Sequence, residues 1–352
     1  MGNGPEELNA LPDLLLDWYD DAARELPWRT GPADRARGKR PDPYRVWLSE
    51  IMLQQTTIPH ATRYFEAFTA RWPRIEDLAA ADDADVMAAW AGLGYYARAR
   101  NLLKCARKVA EAGAFPDMEE GLRALPGIGA YTAGAVAAIA FDRQAAAVDG
   151  NVDRVFARLL ATKGDWKTEK KRIAAAVRAV VPENRPGEFA EALMDLGATV
   201  CTPKRADCLI CPLFGLCAAR VEGDPERYPI KPAKATKPVR RGTAFVLFDG
   251  SDVLLERRPE TGLLGGMLGL PGTDWAEGSL SPPTDAAQAF ADADWVQIGS
   301  VRHVFTHFAL DLSVVRGDGR GPRPAGLWTP IRDVDGLPSV FAKAFRLALG
   351  PA

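Results

Sequence analysis

Two acidic side chains, Glu50 and Asp149, occupy positions where a carboxyl group could carry out acid–base chemistry. Glu50 lies in the run PYRVWLSEIMLQQTT, residues 43–57, whose apolar residues recur at helical spacing and leave Glu50 at the margin of the apolar face. Partial desolvation there raises the pKa of a carboxyl group and lets it hold a proton near neutrality. The alternative is a solvated surface glutamate, the usual state of a glutamate on a helix.

Asp149 belongs to the string LPGIGAYTAGAVAAIAFDRQAAAVDGNVDRV, which covers residues 125–155. Gly127 and Gly129 form a turn between two helical runs, where glycine permits backbone angles and close approaches that a Cβ would forbid. Such a turn can direct successive N–H groups at a phosphate, and the helix that begins near Tyr131 adds the positive end of its dipole. Taken alone, the glycine pair is a weak indication and Asp149 is more simply a helix cap.

Four cysteines suggest a metal site. Cys201, Cys208, Cys211 and Cys217 follow the spacing Cys-x6-Cys-x2-Cys-x5-Cys, so that four of the five cysteines lie close together. In a chain without a secretion signal this grouping argues for a metal site rather than disulfides. Zinc and a [4Fe–4S] cluster both accept four thiolates, and the spacing alone does not choose between them. Cys105 is most simply a small apolar residue on a helix face.

The elements that must position these residues are helical up to about residue 240, because no strand-like alternation occurs before that point. Residues 30–42, TGPADRARGKRPD, are predicted to form an exposed loop. A glycine-rich turn at residues 92–96 contains Leu93 and Tyr95. Their side chains either pack in the core or form a wedge that enters a base stack. Besides the helix near Tyr131, helices are predicted at Leu11–Arg24, Pro43–Thr57, Pro59–Arg71, Asp82–Gly92, Arg98–Gly113, Val152–Ala161, Lys167–Val181 and Phe189–Gly197.

The pattern changes after a segment rich in Pro, Lys and Arg, residues 223–241, which is predicted to be an extended cationic linker between domains 1–222 and 242–352. The second domain has the pattern of an α+β fold. Its predicted elements are strands at Thr243–Phe248, Val253–Arg258, Trp295–Val301 and His307–Val315 and a helix at Ser339–Leu349.

The composition, with 47% hydrophobic and 26% charged residues, is that of an ordinary globular chain. No apolar run approaches the roughly 18 residues of a membrane span, and the first residues lack the basic-then-apolar order of a signal peptide. We therefore expect a cytoplasmic protein without a membrane partner. We also expect a monomer. The net charge of −2 gives no support to a nucleic-acid partner. Any contact with DNA would use local basic patches and backbone donors.

The string around Asp149 resembles the helix-hairpin-helix–Gly/Pro–Asp motif of base-excision DNA glycosylases, and the cysteine spacing resembles the cluster loop of the endonuclease III superfamily. Residues 242–352 resemble a Nudix-like module. Together with WLSEIMLQQT, these motifs resemble the MutY-type adenine DNA glycosylases. The resemblance implies an all-α glycosylase domain with an iron–sulfur loop followed by a Nudix-like α+β domain. It also implies a [4Fe–4S] cluster, and double-stranded DNA with A·8-oxoguanine or A·G mispairs as the partner.

By this resemblance, Glu50 is the acid at an adenine ring nitrogen and later activates water, and Asp149 stabilises the sugar cation or adds to it. Asn151 positions the sugar side and Tyr131 supports Asp149. The cluster is assigned to Cys201, Cys208, Cys211 and Cys217. Residues expected to contact the adenine, the mispair or the DNA backbone are Leu26, Trp28, Arg29, Gln54, Gln55, Thr56, Leu93, Tyr95, Gly127, Gly129, Glu191, Phe305, Thr306 and His307.

Two features depart from the family pattern: Thr306 stands where a serine is usual, and the loop at residues 30–42 is longer. A bifunctional endonuclease III-like enzyme remains an alternative, but its Schiff-base chemistry needs a lysine at the position of Tyr131. A non-catalytic DNA binder is a second alternative, which the pair Glu50 and Asp149 disfavours. The segment after Gly272 lacks the Arg-Glu-x-x-Glu-Glu core of Nudix hydrolases, so we expect recognition rather than hydrolysis from the second domain.

Overall fold

The computed structural model describes residues 8–230, 232, 236–259, 261–278 and 282–350. The chain divides into two compact units, Met1–Ala233 and Lys234–Ala352, each with its own hydrophobic core. The described part contains no helix that is both long and apolar enough to cross a membrane.

The first unit is helical, as predicted. Its α-helices are α1 (Leu11–Ala22), α2 (Pro32–Ala36), α3 (Pro43–Met52), α4 (Ile58–Arg71), α5 (Ile75–Ala79), α6 (Asp83–Ala89), α7 (Ala97–Ala112), α8 (Glu119–Arg123), α9 (Ala130–Phe141), α10 (Gly150–Leu159), α11 (Trp166–Val180), α12 (Pro186–Asp195) and α13 (Ala218–Val221). A π-helical turn, Leu196–Val200, follows α12, and short 3-10 turns lie at Cys208–Ile210, Phe214–Leu216 and Pro225–Arg227.

Helix α9 lies at the centre of this unit and packs against α3, α8 and α12. Its run of small residues from Thr132 to Ile139 is buried, which lets neighbouring backbones come close. Gly134 shows how close: a Cβ there would lie 2.2 Å from the carbonyl oxygen of Ala146. The segment that leads to Asp149 is therefore held directly against α9.

The segment at residues 30–42 differs from the prediction of an exposed loop. Part of it folds as α2, and the side chain of Arg35 is only 8% exposed. Helix α3 also ends at Met52, earlier than predicted, and the chain then turns sharply. Gln55 there has a φ of 61°, a left-handed conformation that a helix cannot contain.

The segment predicted as an extended linker is structured at both ends. Tyr228 is 1% exposed in the core of the first unit, and its hydroxyl donates to Glu222 at 2.5 Å. Residues 231 and 233–235 lie outside the described residues, and the first strand of the second unit begins at Val239.

The second unit is a mixed sheet with a helix on each face. Its elements are β1 (Val239–Asp249), β2 (Asp252–Arg257), β3 (Leu268–Gly269), α14 (Pro283–Phe290), β4 (Ala293–Val304), β5 (Ala309–Gly319), β6 (Leu327–Pro330) and α15 (Ser339–Leu349). The strands pair in the order β3-β2-β1-β5-β4, with β1 and β5 parallel and β6 beside β2. Alternate residues of β1 face α15 on one side and α14 on the other, so both helices cover buried positions. The predicted fold class, a helical domain followed by an α+β domain, is confirmed.

Candidate active site

A cavity of about 380 Å³ in the first unit brings together residues from distant parts of the sequence. Its walls come from the segment after α1, from α3 and the turn that follows it, and from α9, α10 and α12. The predicted residues that line it are Leu26, Trp28, Arg29, Glu50, Gln54, Gln55, Thr56, Tyr131, Asp149, Asn151 and Glu191. Both carboxyl groups proposed for the chemistry therefore open into one space.

Glu50 is buried on α3, with 7% of its surface exposed, and is not a solvated surface residue. Burial raises its pKa to about 7, and the nearby negative charge of Asp149 acts in the same direction. The Tyr131 hydroxyl and Arg29 oppose this rise. Tyr131 has a pKa well above its usual value because it is buried, so it remains a neutral donor beside Glu50. Glu50 can therefore hold a proton near neutral pH and release it to a ligand.

Asp149 is the N-cap of α10, which confirms the capping interpretation, and its side chain also lines the cavity. The two interpretations are therefore compatible, and the catalytic role stays a prediction. Its Oδ1 accepts hydrogen bonds from the backbone N–H groups of Asn151 and Val152, both at 2.8 Å. Its Oδ2 accepts from the side-chain amide of Asn151 at 2.8 Å. Three N–H donors and the helix dipole stabilise a negative charge at this position.

The side chain of Asn151 also connects Asp149, through Arg154, to the start of the cysteine loop. The Oδ1 of Asn151 accepts from Arg154, whose guanidinium also donates to the carbonyl groups of Gly197 at 2.6 Å and Cys201 at 2.8 Å. Gly197 approaches so closely that a Cβ would lie 2.6 Å from the Cβ of Asn151. The side chain of Asn151 is therefore held between Asp149 and Arg154 by hydrogen bonds and against Gly197 by packing.

A buried charged cluster forms the back wall. Asp195, which is fully buried, accepts two hydrogen bonds from Arg29 at 2.6 and 2.8 Å and two from Arg24 at 3.0 and 2.6 Å. Burial alone would raise the pKa of Asp195, but these donors outweigh it and hold the pKa below its usual value. Glu191 lies beside them, with its Oε1 3.5 Å from Nε of Arg29. The wall thus carries fixed charges of both signs.

Sequence reasoning missed part of this wall. Arg24, Val46, Ser49, Met194 and Ala198 also line the cavity, and Asp195 orders its two arginines. The signal for Asp195 was an acidic residue within the apolar run of a predicted helix, because a buried charge needs partners. No comparable signal distinguished the apolar and small residues from ordinary core positions.

Two turns beside the cavity have residues in left-handed backbone conformations, Gln55 with φ 61° and Tyr95 with φ 50°. Arg98 joins them: its guanidinium donates to the carbonyl groups of Gln54 at 2.7 Å and Leu93 at 3.0 Å. Tyr95 is 53% exposed, as a residue that enters DNA would be, whereas Leu93 is 6% exposed and belongs to the core. Of the two predicted wedge residues, Tyr95 alone projects from the surface.

The hairpin between α8 and α9 contains the two predicted glycines. Gly127 has a φ of 76°, and a Cβ there would lie 2.7 Å from the Cβ of Asn101, so both the backbone angle and the packing require glycine. Gly129 is the N-cap of α9 and is exposed, and no described residue beyond its own turn comes within 4 Å of the position of a Cβ. An open N-terminus of this kind can bind a phosphate through its N–H groups.

The four cysteines of the loop line one small cavity and are all half-buried. Burial and the proximity of the other three thiols raise the pKa of Cys211 to about 12. Within the described residues, no three metal-ligating side chains converge at coordination spacing. The donor set nevertheless fits a tetrathiolate group, because four sulfur atoms share one space in a loop that Arg158 braces through carbonyl groups of residues 202 and 203.

In the second unit, the predicted lesion-reading residues form the turn between β4 and β5. Phe305 packs inward: its ring stacks on Trp275 with centroids 5.6 Å apart and lies 4.9 Å from that of Phe308. Thr306 and His307 are exposed. Phe305 therefore supports the turn, and the other two side chains are available to a ligand.

Comparison with known proteins agrees with this geometry. A family model described as HhH-GPD superfamily base excision DNA repair protein matches residues 48–182, and a NUDIX domain model matches residues 243–348. The adenine DNA glycosylase of Homo sapiens is 34% identical over 88% of this chain and 67% of its own length. That of Buchnera aphidicola subsp. Schizaphis graminum (strain Sg) is 30% identical over 95% of this chain and 97% of its own.

Among solved structures, a thermostable thymine-DNA glycosylase has a TM-score of 0.53 and 27% identity, covering 62% of this chain and 98% of its own. Endonuclease III in a non-covalent complex with DNA has a TM-score of 0.51 and 21% identity, covering 63% of this chain and 98% of its own, and has the same helical fold. The chain belongs to the adenine DNA glycosylase family.

Proposed function

We propose that this chain is a monofunctional DNA glycosylase that hydrolyses the N-glycosidic bond of adenine in a mispair. The observation that carries the proposal is the shared cavity, where a protonatable Glu50 and a charge-stabilised Asp149 face the same space. Adenine in a duplex is stacked and paired, so the nucleotide must first be extruded into that cavity.

Glu50 supplies the acid. Its carboxyl group donates a proton to a ring nitrogen of the extruded adenine, and the electron pair of the breaking N-glycosidic bond moves onto the base. General acid catalysis is most effective when the pKa of the acid lies near the working pH, and burial sets the pKa of Glu50 at about 7. After the base has left, the resulting carboxylate takes a proton from the attacking water, so the acid is regenerated.

Asp149 supplies the negative charge. Bond cleavage leaves an oxocarbenium-like sugar, which an ionised carboxylate stabilises or captures covalently, as in retaining glycosidases. The N–H donors of Asn151 and Val152 hold the carboxylate in a fixed orientation. Because the chain has Tyr131 where a lyase has its lysine, no amine is available there to form a Schiff base.

The duplex is held by surfaces around the cavity. Tyr95 and Gln55 project near its rim and would fill the space left by the extruded base, while the hairpin with Gly127 and Gly129 would bind a phosphate. In the second unit, Thr306 and His307 would read the base opposite adenine. Their hydroxyl and imidazole groups can bond the edge of 8-oxoguanine, and we propose this lesion as the preferred opposite base.

We propose that Cys201, Cys208, Cys211 and Cys217 hold a [4Fe–4S] cluster. When bound, such a cluster cross-links the loop through four thiolate ligands. The chain's own Arg158 would then lie against the ligand sulfur, since its Nη1 is 3.2 Å from Sγ of Cys201. Metal analysis of anaerobically purified protein tests the assignment: one zinc and no iron would contradict it.

The activity is tested by single-turnover reactions on duplexes with adenine opposite 8-oxoguanine or guanine, analysed with and without alkali. The expected result is strand breakage that depends on alkali, because the product is an abasic site. Efficient borohydride trapping by a native lysine would support the lyase alternative. Binding without any abasic product would support a non-catalytic DNA binder.

A further inference from the structure

Arg35, in the segment at residues 30–42, reaches the back of the adenine cavity. Its guanidinium donates to Oε2 of Glu191 at 3.2 Å and to the carbonyl groups of Thr30 and Ile139 at 3.1 and 3.3 Å. It also lies 3.5 Å from a carboxylate oxygen of Asp142. The guanidinium is therefore held by four acceptors from three parts of the chain.

The path to Glu191 depends on Gly187, at the start of α12. A Cβ at Gly187 would lie 2.6 Å from the carbonyl oxygen of Ala138 and 3.1 Å from Nη1 of Arg35. Glycine thus leaves the space through which the side chain passes. This contact is built into the packing of α2, α9 and α12.

Glu191 is 2% exposed and has different partners on its two oxygens. Its Oε2 accepts from the Tyr19 hydroxyl and from Arg35, both at 3.2 Å. Among the contacts of the described residues, its Oε1 has only the longer one, 3.5 Å to Nε of Arg29. Two donors therefore occupy Oε2, and Oε1 keeps its capacity to accept a hydrogen bond from a ligand in the cavity.

We propose that Arg35 is a positioning residue that keeps Glu191 ionised and oriented, and that this charge selects a 6-aminopurine over a 6-oxopurine. The inference rests on the proposed function. An ionised carboxylate only accepts hydrogen bonds, so it pairs with the 6-amino group of adenine. The 6-oxo group of hypoxanthine is also an acceptor, and the two oxygens would repel each other.

The surroundings of Glu191 explain why a second cation is needed. Facing it are Tyr19 from α1, Arg29 from the following segment, Arg35 from α2, Glu50 from α3 and Asp195 from its own helix. Burial raises its pKa, and the two guanidinium groups oppose that rise. Arg29 already makes two hydrogen bonds to Asp195. Without Arg35, Glu191 would bind a proton more readily and could then donate to a 6-oxo group.

The test is Arg35→Gln in the full chain, with single-turnover excision of adenine and of hypoxanthine opposite guanine in otherwise identical duplexes. The preference for adenine should fall by at least ~10-fold at neutral pH, because an acceptor-only site becomes able to donate. The preference should recover as the pH rises and Glu191 loses its proton. If the variant had only a structural defect, its selectivity would not recover at high pH. The titration of Glu50 affects the excision of both substrates equally, so it cancels in the ratio of the two rates.

Arg40→Gln is the matched control. Arg40 lies in the same segment and pairs with the same Asp142 at 2.9 Å, but it is 79% exposed and has no contact with Glu191 among the described interactions. Its preference ratio should not change. Arg35→Lys, which keeps the charge, should retain part of the preference and serves if Arg35→Gln fails to fold.

An unchanged ratio in Arg35→Gln and Arg35→Lys would overturn the inference, as would an equal loss in Arg40→Gln. A wild-type chain that releases no adenine would contradict the proposed function instead. The two failures are therefore distinguishable.

Discussion

The cavity that contains Glu50, Asp149 and Glu191 and the turn between β4 and β5 differ in how their side chains are held. In the cavity, side chains from five segments meet, and Glu50, Asp149 and Glu191 are each surrounded by named partners. In the turn, Phe305 is packed and two neighbouring side chains are exposed. A buried site with fixed partners can change pKa values and stabilise charge, whereas the exposed turn, if it reads a base as we propose, would add base-edge contacts of ordinary strength. We therefore expect effects on chemistry in the first and on discrimination in the second.

The largest expected effect comes from Glu50→Gln, which keeps the shape of the side chain and removes its proton. Single-turnover excision of adenine should fall ~10³-fold or more, at the upper part of the range for general acid catalysis. Duplex affinity should be retained. Glu66→Gln, an exposed position on α4, is the control, and near-normal excision by Glu50→Gln would refute the assigned role.

Asp149→Asn should reduce the same rate by ~10²–10³-fold, the usual cost of removing one preorganised electrostatic group. The amide keeps an acceptor for the N–H groups of Asn151 and Val152, so α10 should remain capped. Circular dichroism would verify the fold. A normal rate in a folded variant would mean that Asp149 is only a cap.

The pH dependence separates the cavity from the turn. Glu50 acts as an acid only while protonated, so single-turnover excision should be constant below about pH 7 and decrease above it. The ratio of excision opposite 8-oxoguanine to excision opposite guanine should vary less with pH, because we propose that the turn between β4 and β5 sets it. A rate that rises steadily through pH 8 would contradict the role of Glu50 as acid.

Glu50 also links stability to pH. Its pKa is raised in the folded chain from the usual 4.5 to about 7, so the folded state binds the proton more tightly and stability falls as the pH rises between these values. Glu50→Gln removes the titrating group and with it this fall in stability. The free energy of unfolding above pH 7 should therefore increase by up to about 3 kcal/mol. Denaturant unfolding at pH 4 and pH 8 measures it. An equal effect at both pH values would show that titration is not the cause.

The smallest expected effect concerns the turn. Thr306→Ala combined with His307→Ala should weaken the preference for 8-oxoguanine over guanine opposite adenine by about 1–3 kcal/mol, the value of a good base-edge contact. Excision opposite guanine should change little. Affinity and rate should be measured at one salt concentration, since phosphate contacts depend on salt. If the preference stays the same, other residues read the lesion.

Much of the first unit could be predicted from the sequence, because helical spacing and the glycine turn are local signals. Glu50 and Asp149 were found because each stands in an unusual local context. The sequence predicts an exposed loop around Arg35, because its polar neighbours give no sign that one guanidinium is buried against Glu191. It also predicts a DNA contact at Leu93, whose side chain belongs to the core. The parallel pairing of β1 with β5 joins residues about 70 apart, and no local pattern specifies it.

The close contact of Gly134 with Ala146 has a consequence for heat tolerance. A contact between two backbones has no rotamers, so its spacing does not broaden with temperature in the way that side-chain contacts do. Only Ala147 and Val148 separate this contact from Asp149. The backbone position of Asp149 is therefore fixed by direct packing against α9, and it should persist on heating until α9 itself unfolds. Catalytic geometry and fold would then be lost in one cooperative step.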